Sequence, residues 1–304
     1  MEPRFLVHID LNNPEADLDL STIAYLSALL IDVEAQNFEL ALKFIQDHCD
    51  LLNVCCDCSV IQNPDRIITL LNAGCSKTFV NDIVLESLVE EGLSQDYFDR
   101  LGVKVSSADS DESQKQAVLR SVDKHHQTIH EGLTLSGDVT TLETIRSKYT
   151  SSLISNHFYL RLSHDWREHF PLVSQLGLRA IIPSNLLTNN VHEKDTKIFL
   201  PRLITDFMQS DRPDGLIPTV VSDEQGVSLG LVYSNTESVE HAVQTGRGVY
   251  YSRSRKGLWV KGEESGNTQQ LLKIALDCDT DALQFKVRQA GEGKPTRAFS
   301  YNVC

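Results

Sequence analysis

Between Gly246 and Ala282 the chain reads GRGVYYSRSRKGLWVKGEESGNTQQLLKIALDCDTDA, and two kinds of chemistry are crowded into it. The first is basic and hydroxylic. Arg247, Arg253, Arg255, Lys256 and Lys261 are interleaved with Tyr250, Tyr251, Ser252, Ser254 and Trp259. Guanidinium and ammonium groups beside hydroxyl donors match the charge and geometry of phosphate oxygens. Gly262 and Gly266 flank Glu263 to Ser265, a spacing that lets backbone N–H groups line a phosphate cradle. The second is Asp277-Cys278-Asp279-Thr280-Asp281, three carboxylates at every second position around one thiol. Oxygen ligands suit a hard cation such as magnesium. A thiolate suits a softer ion such as zinc. If this segment is extended, period two puts the carboxylates on one face and Cys278 on the other. Like charges so close are costly unless a cation neutralises them. Plainer readings exist for both: a basic run is usually a solvated face, and a bare D-x-D-x-D usually an acidic turn. Together the two clusters point to metal-assisted chemistry on an anionic, phosphorylated small molecule.

The strings SRSRKGLWVKGEESGNTQ and DCDTDAL closely resemble the phosphoribosyl-AMP cyclohydrolase family of histidine biosynthesis. SDRPDGLIPTVV and LGLVYSNTESVEHAVQTGRGVYYSRSR upstream are similar to it as well. The likeness is greatest to the cyclohydrolase region of the fungal-type multifunctional histidine-biosynthesis proteins, and it spans Ser210 to Gly293. It implies a small α+β fold that forms a homodimer with sites at the subunit interface. It implies that Arg253, Arg255, Lys261, Ser265 and Gly266 belong to the substrate pocket. Arg247, Ser252, Ser254 and Trp259 are interleaved with these and are candidates for the same pocket. The implied substrate, phosphoribosyl-AMP, carries phosphates at both ends, which explains the demand for cations. In the resembling enzymes the aspartates, here Asp277, Asp279 and Asp281, hold magnesium, and the cysteine, here Cys278, is one zinc ligand. The implied reaction is hydrolytic opening of the purine six-membered ring by a zinc-activated water, giving a formimino-linked imidazole carboxamide.

The chain departs from the family after Gln289. Where the family has a Cys-His pair, this sequence has Lys294 and Pro295, and Cys304 does not restore the spacing. The expected zinc site is therefore incomplete, since thiolate sites need several converging ligands. Two readings follow: an active cyclohydrolase, or a catalytically silent, C-terminally truncated homologue that binds nucleotide or dimerises. Gly293-Lys294-Pro295 fits translation into an intron, so the tail 294–304 is expected to be a splicing or gene-model product. The domains for the next pathway steps are expected to be missing.

The remaining composition narrows the class. The chain has 304 residues, 41% apolar and 23% charged, which allows two domains of ordinary size. Its net charge of −14 argues against nonspecific nucleic-acid binding. No apolar run reaches membrane-span length, and the N-terminus reads as neither signal nor transit peptide. A cytoplasmic protein is expected, and its seven cysteines are then expected to be free thiols. Cys55, Cys56 and Cys58, with Cys49 and Cys75, read better as buried apolar fillers than as a soft-metal site. His125, His126 and His130 read as a polar helix end.

Stepping through the elements, strand and helix alternate up to Met208. Phe5 to Ile9, Leu51 to Val60, Thr78 to Val80, Val103 to Val105, Ile129 to Leu135, Leu153 to Leu162 and Ala180 to Pro183 read as strands or contain them. Helices are expected at Phe38 to His48, Pro64 to Leu71 with Asn63 as cap, Ile83 to Glu91, Glu112 to His125, Thr141 to Tyr149, Trp166 to Leu176 and Lys194 to Met208. Ile23 to Ile31 is apolar throughout and ambiguous. The alternation predicts an α/β N-terminal domain of βα units, an open sheet or an incomplete barrel of about six or seven units. No active site is evident in it, and a scaffolding role is a third reading. The turn Gln209 to Gly215 predicts a boundary, with domains at 1–208 and 209–304. Strands are expected at Ile217 to Ser222, Val227 to Tyr233, Gly248 to Ser252, Leu258 to Lys261 and Leu283 to Val287. Ser238 to Thr245 is expected to be a helix capped by Ser238 or Thr236, and Gln269 to Ala275 is ambiguous.

Overall fold

The apolar run Ile23 to Ile31 turns out to be two elements. Leu20–Leu26 is a helix, α1, and Ala28–Asp32 is a strand, β2. The computed structural model describes residues 5–12, 20–104, 134–137, 147, 158–161, 179–184, 196–277 and 280–290. These fall into two compact units. One comprises residues 5–17 and 27–186, the other residues 1–4, 18–26 and 187–304.

In the first unit eight short strands pair in sequence order, all parallel. They are β1 (Phe5–Ile9), β2, β3 (Val54–Asp57), β4 (Lys77–Val80), β5 (Leu101–Lys104), β6 (Thr134–Gly137), β7 (Phe158–Arg161) and β8 (Arg179–Pro183). β8 pairs with β1, Phe5 opposite Ala180, so the sheet is a closed barrel rather than an open or incomplete one. The expectation of about six or seven units fell short because β2 lay hidden in a run whose periodicity does not separate strand from buried helix.

Helix α2 (Phe38–His48) buries Phe38, Ala41 and Ile45, one helical face. In α3 (Pro64–Asn72) the Asn63 side chain accepts from the Asp65 N–H at 2.9 Å and Pro64 opens the helix, as its sequence signature predicts. Gly74 follows at φ +108°, and a Cβ there would lie 2.9 Å from Cys49 Cβ, so only glycine fits. Helices α4 (Asp82–Glu90) and α5 (Gln95–Phe98) complete the described crossovers. The helices expected at 112–125 and 166–176, and the histidines at 125, 126 and 130, lie outside the described residues, and of 141–149 Ser147 alone is described, as helix.

Side chains alternate across each strand. Leu6, Ala28, Leu30, Cys55, Phe79, Tyr159 and Ile181 form one buried cluster inside the barrel, and each large apolar member contributes roughly 1.5–3 kcal/mol by leaving water. Phe79 meets Tyr159 edge to face with centroids 6.0 Å apart. Cys56, Cys58 and Cys75 are also buried. The Cys75 thiol lies 3.3 Å from Cys56 Sγ, and burial pushes both thiols well up from their ordinary value. They act as small apolar side chains. Among the described residues no three His, Cys, Asp or Glu side chains converge as a metal set.

The second unit holds a six-stranded sheet in the order β12-β11-β10-β9-β14-β13. Its strands are β9 (Ile217–Ser222), β10 (Ser228–Ser234), β11 (Val249–Ser252), β12 (Gly257–Val260), β13 (Thr268–Leu276) and β14 (Leu283–Ala290). Neighbours are antiparallel except β14 with β9. The ambiguous Gln269 to Ala275 is thus strand.

Two helices modify the expected boundary at 208/209. The second unit takes in α1 and α6 (Thr196–Asp206). α6 packs on α7 (Thr236–Thr245), and α1 packs on α6 and β13, burying Ile23, Leu26, Leu200, Ile204 and Phe207. An amphipathic face says that a helix packs, not which sheet it packs against, so a turn-rich segment was a poor marker of the division. The cap of α7 is Asn235, not Ser238 or Thr236. Asn235 Oδ1 accepts from Ser238 N–H and Ser238 Oγ accepts from Asn235 N–H, both at 2.9 Å, a reciprocal capping box. No helix among the described residues is long and apolar enough to cross a membrane.

Candidate functional site

The basic string is a hairpin. β11 and β12 pair with Val249 opposite Val260 and Ser252 opposite Gly257, so Arg253, Ser254, Arg255 and Lys256 form the turn and are all exposed. Lys256 takes φ +52°. Ser252 holds the turn from inside. Its Oγ accepts from the Arg255 N–H at 3.3 Å and lies 3.3 Å from Ser254 Oγ.

A second turn, residues 261–266, follows at the other end of β12. Lys261 N–H donates to Gly248 O at 2.9 Å, and Gly266 N–H donates to Gly262 O at 2.8 Å. Gly262 sits at φ +87°, with its missing Cβ position 2.4 Å from the carbonyl carbon of Asn267. Both the backbone angle and the close approach demand glycine. Arg255 bridges the two turns by donating to both carboxylate oxygens of Glu264, at 2.9 and 3.3 Å. Ser265 and Gly266 are exposed at the rim of the second turn, and the Ser265 Oγ accepts from Asn267 N–H at 3.4 Å.

Behind the turns the wall is aromatic. Tyr250 is buried, donates to Gln269 Oε1 at 2.7 Å, and packs on Trp259 and Phe285 with centroids 5.9 and 5.3 Å away. Burial pushes its phenol far above the ordinary value, so Tyr250 is a neutral donor that positions the wall. Lys261 also meets Trp259, its Nζ 5.5 Å from the ring centroid. Arg247 bridges to Gln270, and Gly248 N–H to Gln269 O and Leu271 N–H to Gly246 O tie β13 to the segment entering β11. The sheet therefore curls back on itself beside the turns.

Two further residues belong here that residue-type reasoning missed. Arg253 places its guanidinium 4.0 Å from the Tyr233 ring centroid, and Arg212 places its own 4.7 Å from the same centroid. Asp214 orients Arg212 through two bonds of 2.9 and 2.7 Å. Tyr233 lies opposite Tyr251 in the β10–β11 ladder. Their signal was present in SDRPDG and LVYSNTES, but they lie far in sequence from the basic run.

The aspartate string has no strand at its described residues, Asp277, Thr280 and Asp281. It is the loop of the β13–β14 hairpin, closed by the pair Leu276 and Leu283. Asp277 N–H donates to Ala282 O, and Ala282 N–H donates to Asp277 Oδ1, both at 3.2 Å. Thr280 takes φ +68° and its carbonyl accepts from Gln209 N–H at 3.0 Å. Period two cannot run through such a turn. Asp277 and Asp281 are half-buried at its two sides; Cys278, Asp279, Lys294, Pro295 and Cys304 lie outside the described residues. Carboxylate oxygens flanking one tight loop fit a hard divalent cation. The donor set does not fit zinc, because the positions expected to supply further ligands are Lys294 and Pro295.

β13 runs nine residues from the second turn to the aspartate loop. At ~3.3 Å per residue, the second turn and the aspartates flank opposite ends of this strand, on the order of 25 Å apart.

The sequence profile of a family described as phosphoribosyl-AMP cyclohydrolase matches residues 230–296, which takes in both turns and the loop. The histidine biosynthesis bifunctional protein his7 of Schizosaccharomyces pombe is 30% identical over 308 residues, covering 95% of this chain and 68% of that protein. The histidine biosynthesis trifunctional protein of Neurospora crassa is 35% identical over 285 residues, covering 92% of this chain. The chain spans only 30% of that protein's length. The phosphoribosyl-AMP cyclohydrolase of Thioalkalivibrio sulfidiphilus is 49% identical over 80 residues, 26% of this chain and 61% of that protein.

Proposed function

The chain belongs to the family of histidine biosynthesis multifunctional proteins, and from that premise we propose that its second unit is a phosphoribosyl-AMP cyclohydrolase, working in the cytosol. The observation that carries this reading is the pair of turns, 253–256 and 261–266, that the profile match spans. In the reaction, water adds to a carbon of the purine six-membered ring, the adjacent ring C–N bond breaks, and the departing nitrogen takes a proton. Arg253 and Arg212, held over Tyr233, and Lys261, held over Trp259, neutralise phosphate. Backbone N–H groups of the glycine-bounded turn take the remaining phosphate oxygens. Asp277, Asp279 and Asp281 would hold magnesium, which supplies charge neutralisation and orientation when bound. No step is assigned to zinc.

Two copies are proposed to form the working unit. The separation of the 261–266 turn from the aspartate loop along β13 supports a site that takes this turn from one copy and the loop from the other.

The deciding experiment follows turnover of phosphoribosyl-AMP by ultraviolet absorbance, with metal content measured on the same sample. Turnover that K261M and D281N each abolish, and that returns when the two variants are mixed, is the expected result. A folded protein without turnover at any magnesium concentration would overturn the reading. Loss of activity in each variant without restoration on mixing would overturn the shared site alone.

A further inference from the structure

We propose that the C-terminal mouth of the eight-stranded barrel is a second ligand site, built for a small phosphorylated polyol. Inside the barrel, residues two apart along a strand point the same way. Leu6, Leu30, Cys55 and Tyr159 lie in the apolar interior. Two residues further on come His8, Asp32, Asp57 and Arg161, and Lys104 ends β5 at the same level. Four of the eight strands thus end in a charged residue (Asp32, Asp57, Lys104 and Arg161), while His8 sits one residue from the end of β1. Because all eight strands are parallel, these side chains gather at one end of the barrel. That is the end at which enzymes on closed parallel barrels place their chemistry.

The contacts are specific. Lys104 Nζ donates to Asp57 Oδ2 at 2.6 Å, and Ser59 gives Asp57 Oδ1 both its N–H at 3.2 Å and its Oγ at 2.8 Å. Asp57 is therefore a buried carboxylate with both oxygens bonded. Asp32 Oδ2 is 2.7 Å from His8 Nε2. Arg161 reaches Asp32 Oδ1 and Asp57 Oδ2 only at 3.8 and 3.9 Å, too far for hydrogen bonds. Here the fork stands back from both carboxylates, with its side chain 37% exposed.

That arrangement selects a ligand with two kinds of group. The planar fork of Arg161, at the end of β7, and the Lys104 ammonium suit phosphate oxygens. Asp32, 41% exposed, can accept from hydroxyl groups. A bare phosphate would leave the carboxylates repelling it; a sugar phosphate satisfies both halves.

The test is calorimetric titration of the full chain with ribose 5-phosphate, ribose and inorganic phosphate. It is run on the wild type, R161M, R161K and R253M, with circular dichroism confirming each fold. R253M removes a cation of the cyclohydrolase region and leaves the barrel untouched. Expected are saturable binding of ribose 5-phosphate that survives in R253M, a loss of at least about tenfold in R161M, an intermediate loss in R161K, and no saturable binding of ribose. Absence of saturable binding in the wild type would overturn the proposal, as would binding lost in R253M but kept in R161M. Binding of inorganic phosphate as tight as that of ribose 5-phosphate would overturn the polyol assignment.

Discussion

Arg255 and Glu264 are joined by two hydrogen bonds that tie the turn of the β11–β12 hairpin to the glycine-bounded turn after it. A cation expected to bind substrate is thus already partnered. An incoming phosphate must compete with Glu264 or share the guanidinium with it. Both side chains are more than half exposed, so solvent screens the pair and its net contribution to stability is small. E264Q is expected to change the urea midpoint by less than about 1 kcal/mol in stability while lowering the KM for phosphoribosyl-AMP. R255M should raise KM about tenfold, a cost of ~1.4 kcal/mol. Equal KM values in all three proteins would mean that Arg255 only braces the turns.

Tyr233 is a platform for two guanidiniums, those of Arg253 and Arg212. Each such contact at an exposed site is worth roughly 0.5–1 kcal/mol. Y233L is expected to raise KM about 5- to 30-fold with kcat nearly unchanged, because it removes ring faces that position binding groups. Y233F keeps the face and should behave as the wild type. Steady-state kinetics separate the two, and a kcat defect in Y233F would show that the hydroxyl matters instead.

Gly262 admits no side chain. A Cβ would fall 2.4 Å from the Asn267 backbone at a φ of +87°. G262A must move the second turn or strain it, at a cost of order 1–3 kcal/mol. The expected outcome is a melting temperature several degrees lower, together with weakened nucleotide binding. G226A makes a control, since a Cβ at Gly226 meets nothing within 4 Å although its φ is also positive. If both variants bind as the wild type does, the cradle does not depend on this turn's shape.

At the barrel mouth the sign of one pH effect can be worked out. Burial alone would push Asp32 up, but the hydrogen bond with His8 and the charges of His8, Arg161 and Lys104 outweigh it and hold the carboxyl below its ordinary value. A carboxyl lowered by folding adds stability above its unfolded pKa, near 4, and loses it as pH falls through the folded value. Wild type should therefore exceed D32N in urea midpoint at pH 6, and the gap should close as pH falls below about 4. The effect is modest because Asp32 is 41% exposed. A gap independent of pH would assign it to packing.

Much of this was legible from local chemistry. β1, α2 and β9 have the limits their patterns predict, and Asn63 with Pro64 opens α3 as expected. The basic and acidic strings fall within the residues that the cyclohydrolase profile matches, 230–296. Alternation of strand and helix was enough for an α/β unit. Local patterns do not carry what depends on distant partners. Closure of the barrel needed β2, whose apolar run reads equally as helix. The division into units needed to know which sheet α1 and α6 cover. Asp277 to Asp281 reads as alternating carboxylates in one dimension, but the pairing of β13 with β14 makes it a hairpin loop. Arg212, Tyr233 and Arg253 are spread over more than forty positions and meet only because β9, β10 and β11 lie side by side. His8, Asp32, Asp57, Lys104 and Arg161 are isolated residues in the sequence, each at or next to the end of a short strand. Only eight parallel strands closed on themselves bring them to one place, because parallel closure converts a shared position along each strand into a shared position in space.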